Sequence, residues 1–360
     1  MSDTGMAARR KVAVVTGGTI GIGRATAQRF ARDGWAVAVL SRGEERLHST
    51  EAELRALGVP ALAIAADVAD AAAVDAAAER IERELGPIEA WVNNAMATVV
   101  SPADRITPEE YRRVTEVTYL GQVFGTLAAL RHMRPRNRGA VIQISSGLGI
   151  RSAPLQAAYC GAKQAVQGWT DAMRSELIHS RSRVTLTVVY LPAVNTPQFR
   201  HARNHTGRAQ NAPDPVFDPR LCAEAVLSAV KHPQREVWVG RSTLQMAAAQ
   251  ALVPGFADRK AADMWDAQLE SGPPPLPEGN LFEPNPGDPG VDGPFTDRVK
   301  PARAEFVTSR ARDAAVLGVA TLALLGLAAV AAPVLAAGMA MRPTAPRMVP
   351  RCRIPHPLRH

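Results

Sequence analysis

A chain of 360 residues exceeds one average domain and suits a single α/β domain of about 240 residues with an appendage. Hydrophobic residues make up 46% but aromatics only 5%, so the core must come from Ala, Val, Leu and Ile, the mix of parallel sheets covered by helices. The charge of +8 lies at the termini and in scattered loops with no nucleic-acid module beside it, and the 3 cysteines form no C-x-x-C pair or disulfide framework, so no nucleic-acid partner and a reducing compartment are expected.

The basic tail of residues 1–10 passes straight into a strand pattern with no apolar stretch of a signal peptide, which points to a cytoplasmic catalytic domain. Across residues 11–245 short apolar runs alternate with longer amphipathic ones, the mark of repeated βα units. Strands are predicted at 12–15, 36–40, 61–65, 90–93, 140–144, 184–190 and 236–239, with helices beginning near Ile22, Glu44, Ala71, Pro108, Ala158 and Pro219. Helices of that length make the right-handed crossovers that parallel neighbours require. The expected fold class is α/β: a Rossmann-like doubly wound parallel sheet of about seven strands, with helices on both faces and ligands beyond the carboxyl ends of the strands.

Residues 246–313 read as a largely irregular and helical extension, in which 272–294 is crowded with Pro and Gly. That composition forms no regular element and reads as a linker or a loop laid over the domain, belonging to no core. Residues 314–341 carry no charge, enough to cross a hydrocarbon layer that requires about 20 residues. A transmembrane helix anchoring the chain to a membrane is expected there. The alternative is an Ala-rich helix packed on the domain or on another subunit, because Ala and Gly are nearly neutral in insertion and Pro333 interrupts the run. Arginines flank both sides of it, including those of the basic tail 342–360, so charge does not orient it.

The chemistry begins where the first strand runs through Thr16-Gly17-Gly18-Thr19-Ile20-Gly21-Ile22-Gly23 into a helix. Glycine allows tight turning and close approach of backbone to a pyrophosphate, which then sits against the free N–H groups of the helix amino terminus. The second strand ends at Leu40-Ser41-Arg42. A site for NAD(H) would place an acid where Ser41 stands, whereas a 2′-phosphate needs a cation, so Ser41 and Arg42 favour NADP(H), with Glu44 and Glu45 nearby as the opposing signal. After the fifth strand come Ser145 and Ser146, and then Tyr159 and Lys163, four apart on one helix face. A phenol of pKa near 10 is a poor base at neutral pH, but a neighbouring ammonium and an oxidised nicotinamide both favour its anion.

T-G-x-x-x-G-I-G resembles the cofactor fingerprint of the short-chain dehydrogenase/reductase family, and the later motifs follow in that family's order over residues 11–241. The resemblance implies cofactor contacts from Gly17, Thr19, Ile20, Gly21, Ile22, Gly23, Ser41, Arg42, Asp67, Val68, Asn93, Ala95, Tyr159, Lys163, Val194 and Thr196. It further implies that Tyr159 exchanges a proton with the substrate oxygen, that Ser146 holds the same oxygen, and that Lys163 holds the nicotinamide ribose. Ser146 is chosen over Ser145 because its distance from Tyr159 matches the family's spacing. A small-molecule alcohol or carbonyl substrate follows, lipophilic if residues 314–341 meet a membrane, in a homo-oligomer.

Three positions depart from the pattern. Thr118 stands where the family often has a catalytic Asn, and its shorter hydroxyl offers a different donor set from an amide. Met96 replaces the Gly of N-N-A-G, and Pro192 the Gly of P-G-x-V-x-T. These departures keep open a second reading, a catalytically weak NADP(H)-binding sensor or scaffold. His201 and His205 lack a third ligand, so no metal is expected; Arg134, Arg136 and Arg138 read as a solvated turn, and Cys160 as a packing residue.

Overall fold

The computed structural model describes residues 10–300 and 306–314. β1 (Val12–Thr16) leads into α1 (Gly21–Arg32), β2 (Ala36–Ser41) into α2 (Glu44–Ala56), and β3 (Ala61–Ala65) into α3 (Ala71–Glu84). β4 (Ile88–Asn93) is followed by the short β5 (Val99–Val100), α4 (Pro108–Thr115), a π-helical turn (Glu116–Leu120) and α5 (Gly121–Arg136). Then come β6 (Ala140–Ser146), α6 (Ala157–His179), β7 (Thr185–Leu191), α7 (Gln198–His201), β8 (Arg203–Asn204), α8 (Pro219–Lys231) and β9 (Glu236–Val239). The extension supplies α9 (Arg241–Leu252), α10 (Pro254–Ala262), α11 (Met264–Ala267) and β10 (Phe306–Thr308).

The sheet order is β10-β9-β7-β6-β4-β1-β2-β3, with β10 antiparallel to β9 and every other pair parallel. Val, Ala and Ile fill the central strands without alternation because helices cover both faces. Phe30, Leu227 and Val226 pack on one face from α1 and α8; Ile81, Leu130 and Met133 pack on the other from α3 and α5. Helix ends follow local chemistry: Asp70 caps α3, Thr107 and Glu110 form a capping box on α4, and Asn137 ends α5 at φ 47°. Strand order reverses between β1 and β4, so the crevice for a ligand opens beyond their carboxyl ends.

The seven expected strands are all present, and β10 adds an eighth from the extension, too short for periodicity to reveal. The Pro- and Gly-rich stretch requires a correction, because Leu281 within it is fully buried in the main core. Irregular backbone can still deliver one apolar anchor, which composition alone does not show. In the basic turn Arg136 pairs with Glu82 and Arg138 with Glu89. The compact unit that holds the sheet runs to Ser309. Residues 310–314 start a second unit, and residues 315–341 of the expected membrane segment lie outside the described residues. Among the described residues no helix is long and apolar enough to cross a membrane.

Candidate active site

The glycine loop is held by the strand beside it. Thr16 Oγ1 accepts from the backbone N–H of Asn94 at 3.0 Å and of Ala95 at 3.1 Å, and Asn94 Nδ2 donates to the carbonyls of Thr16 at 3.0 Å and Gly17 at 3.2 Å. Gly17 turns at φ +63°, and a Cβ there would lie 2.9 Å from the Ala95 Cα; a Cβ on Gly23 would lie 2.1 Å from the Gly17 carbonyl oxygen. Only glycine fits either position. Ile20 gives α1 no side-chain cap, so its first turn keeps N–H groups for an anion, apart from the Gly21 N–H, which donates to the Gly290 carbonyl at 3.0 Å.

From this loop a cleft of about 360 Å³ extends past the ends of β2, β3, β4 and β6 to α6. It brings together Gly17, Thr19, Ile20, Gly21, Ile22, Gly23, Ser41, Arg42, Asp67, Val68, Ala95, Ser146, Tyr159, Lys163, Val194 and Thr196, as the sequence implied. Two candidates are absent from its lining. Asn93 is fully buried and points into the protein, accepting from Trp91 Nε1 at 2.8 Å and donating to Thr126 Oγ1 and Gln143 Oε1, both at 2.9 Å. Alternation along β4 explains this, since the neighbouring Asn94 is the one that faces the cleft. Thr118 is also fully buried, and its hydroxyl both donates to the Ala97 carbonyl at 2.8 Å and accepts from the Ala97 N–H at 2.9 Å. It is a brace for the loop after β4.

Lys163 is buried, with Nζ donating to the Ile144 carbonyl at 2.7 Å and lying 5.6 Å from the centre of the Tyr159 ring. Burial pushes its pKa down to about 7. Burial also pushes the Tyr159 phenol above its ordinary value, a shift opposed by its hydrogen bond with the Ser146 hydroxyl. Ser146 Oγ is oriented by accepting from the Leu148 N–H at 3.1 Å, whereas the buried Ser145 Oγ has no hydrogen-bond partner. The pairing with Tyr159 thus falls to Ser146, the one selected by spacing.

Met96 and Pro192 both line the cleft, so these two departures sit at its wall. Cys160 is buried with its thiol pushed upward by burial, and His201 and His205 take different partners, Asn285 and Glu110. Sequence reasoning missed a set of wall residues from outside the motifs. Gln156 Nε2 donates to Gln268 Oε1 at 2.7 Å, and Gln268 Nε2 donates to the Pro154 carbonyl at 3.0 Å, placing Gln268 beside the start of the Tyr159 helix. Met246 stands next to Gly147, where a Cβ would meet its Sδ at 3.3 Å. Met264, Asn280 and Pro284 also line the cleft. All of these but Gln156 come from the extension, whose sequence carries no motif.

A doubly wound sheet with a glycine loop at its switch point, and a Ser, a Tyr and a Lys gathered at the end of a neighbouring strand, defines an oxidoreductase built to hold a dinucleotide. The sequence matches the short chain dehydrogenase family over residues 11–207, and the chain belongs to that family. It is 33% identical over 251 residues to "Uncharacterized oxidoreductase YxnA" of Bacillus subtilis, a match covering 69% of this chain and 70% of the relative. Among solved structures it is similar to a metagenomic short-chain oxidoreductase in complex with NADP, with a TM-score of 0.54, 26% identity and coverage of 64% of this chain and 96% of the other. It is also similar to an alcohol dehydrogenase from the archaeon Thermococcus sibiricus complexed with 5-hydroxy-NADP, with a TM-score of 0.55, 25% identity and the same two coverages, 64% and 96%.

Proposed function

We propose that the protein interconverts an uncharged secondary alcohol and the corresponding carbonyl compound with NADP(H) as hydride partner. The observation that carries this is the convergence of Ser146, Tyr159 and Lys163 in one cleft with the glycine loop and Arg42. The residues fit the cofactor: the tight glycine turn brings the uncapped first turn of α1 to the cleft, where its N–H groups would meet a pyrophosphate, and Ser41 with Arg42 stands where a 2′-phosphate would lie. The NADP complexes among the similar structures favour the same choice. Bound there, the nicotinamide supplies or accepts the hydride.

The chain's own residues handle the proton. Burial keeps the Tyr159 phenol protonated, the form that donates a proton to a carbonyl oxygen as it gains charge in reduction. Ser146 binds the same oxygen by a second hydrogen bond. In the reverse direction Tyr159 takes the alcohol proton, and a protonated Lys163 beside its ring favours the anion that this requires. At the substrate end, Leu148, Phe199, Met246 and Met264 give an apolar wall with the amides of Gln156 and Gln268. The nearby charges are paired with one another, Arg151 with Asp258, Arg200 with Glu270 and Asp214 with Arg298, so a charged substrate would meet no free counter-ion among them. Burying an uncompensated charge is costly, which selects neutral substrates.

The test is a panel of neutral and acidic ketones and aldehydes with NADPH, run on wild type and Tyr159→Phe. Oxidation of NADPH by neutral members, falling about 100-fold or more in Tyr159→Phe, is expected. Full turnover in that variant overturns the mechanism. A second reading, an NADP(H)-binding sensor, draws on Thr118, whose hydroxyl is committed to Ala97 and leaves no amide at that position. Tight NADPH binding without turnover of any panel member would select it.

A further inference from the structure

The Pro- and Gly-rich segment crosses the cleft where β2 and β3 end. The carbonyls of Asn280 and Phe282 accept from the two terminal nitrogens of Arg42 at 2.5 and 2.6 Å, with the Leu281 carbonyl at 3.4 Å. The Leu281 carbonyl also accepts from Arg113 Nε at 3.1 Å, and the Asn285 carbonyl from Arg46 at 3.0 Å. Beyond the cleft the segment is fastened to α1 and α2. Asp288 accepts from Arg24 and from Ser49 Oγ, both at 2.5 Å, and the Gly287 N–H donates to Glu45 at 3.1 Å. Leu281 anchors it from beneath in the core.

Three arginines meet under this strap, and the carboxylate of Asp67 beside them is already bonded to Arg113 at 2.5 Å. Arg42 has only neutral carbonyl partners among the hydrogen bonds of the described residues. Burial is the largest cause that lowers its pKa from the ordinary value, followed by the charge of Arg113, with the carboxylates of Asp67 and Glu283 opposing the shift. A guanidinium has five N–H donors and the strap engages at most three, which leaves two for a phosphate. Holding a long cation in one orientation before a ligand arrives removes part of the ordering cost of binding.

We propose that residues 280–288 are a specificity element of the dinucleotide site, orienting Arg42 and Arg46 through main-chain carbonyls so that their remaining donors meet the 2′-phosphate of NADP(H). This rests on the reading that the cleft binds a dinucleotide. Asp288 is a positioning residue that does not line the cleft, so Asp288→Ala loosens the strap without removing a contact to the ligand. Direct titration of NADPH and NADH onto the full chain by calorimetry is expected to show NADPH affinity falling about tenfold and NADH affinity by less than about twofold. Ser49→Ala, which removes the Asp288 bond to α2 and keeps those to Arg24 and the Gly290 N–H, gives a smaller shift of the same kind should Asp288→Ala fail to fold. In an Arg42→Ala, Arg46→Ala background, Asp288→Ala should leave the ratio of the two affinities unchanged, because the strap then has neither guanidinium to orient toward the 2′-phosphate. A merely structural strap would weaken both cofactors by one factor, and that result, or no shift in either, overturns the inference. Failure of the wild type to bind either dinucleotide would instead overturn the reading on which it rests.

Discussion

Replacing Asn93 by Ala separates a cofactor contact from a core hub. Its side chain joins β4 to β6 and α5 through two hydrogen bonds of 2.9 Å and accepts a third from Trp91 of β4 at 2.8 Å, and Gly125 packs so close that a Cβ there would lie 2.2 Å from Asn93 Oδ1. Removing the amide leaves Trp91 Nε1 and Gln143 Oε1 without those partners, while Thr126 keeps its bonds to Gln122 and Gln143. Two orphaned buried groups at about 1–3 kcal/mol each, with a small cavity added, give a loss of about 3–5 kcal/mol. For a unit of this size that lowers Tm by about 5–15 °C. Urea unfolding followed by tryptophan fluorescence measures the loss, and NADPH titration well below the melting range measures affinity, expected within about threefold of wild type. An unchanged midpoint with affinity weakened tenfold or more would refute the reasoning and return Asn93 to the cofactor site.

Thr118→Val should cost about 1–3 kcal/mol of stability, because both Ala97 groups lose their partner, yet leave the pH profile of kcat unaltered. A displaced profile would show that the hydroxyl takes part in proton transfer. Lys163 gives a pH prediction for the free protein: its folded pKa of about 7 lies below the 10.5 of an ordinary lysine, so the unfolded chain binds more protons between those values and stability rises with pH across them. Relative to Lys163→Met, wild type should therefore gain about 1–2 kcal/mol between pH 7 and 9, measured by urea midpoints; a difference independent of pH would refute the buried, readily neutralised lysine.

The sheet was legible because its strands are continuous Val, Ala and Ile runs separated by helices with clear starts, such as Pro108 after the cap Thr107 and Pro219 after the cap Asp218. The glycine loop and the Tyr159–Lys163 pair were legible because their spacing carries the geometry: a turn that excludes Cβ atoms, and one face of a helix. Asn93 and Thr118 lie outside the cleft lining for a shared physical reason. Both are polar residues in the right stretch of chain, but which of two adjacent side chains faces the cleft depends on register, and Thr118 Oγ1 finds a backbone partner within reach that a family pattern does not display. The strap was illegible because its bonds to Arg42, Arg46 and Arg113 are made by carbonyls, which every residue type possesses.

The family match ends at residue 207, yet Met246, Met264, Gln268, Asn280 and Pro284, all beyond it, line the cleft. Asn195 shows how the two parts are joined: fully within the matched region, it accepts from the Phe295 N–H through Oδ1 at 2.9 Å and from the Gly293 N–H through its carbonyl at 3.3 Å. The loop that carries Val194 and Thr196 is thereby tied to the segment that follows the strap. A change in substrate preference is accordingly expected from substitution of Met246, Met264 or Gln268 as well as Leu148, Gln156 or Phe199, and a change in cofactor preference from residues 280–288 as well as Ser41 or Arg42, whereas loss of proton transfer maps to Ser146, Tyr159 and Lys163.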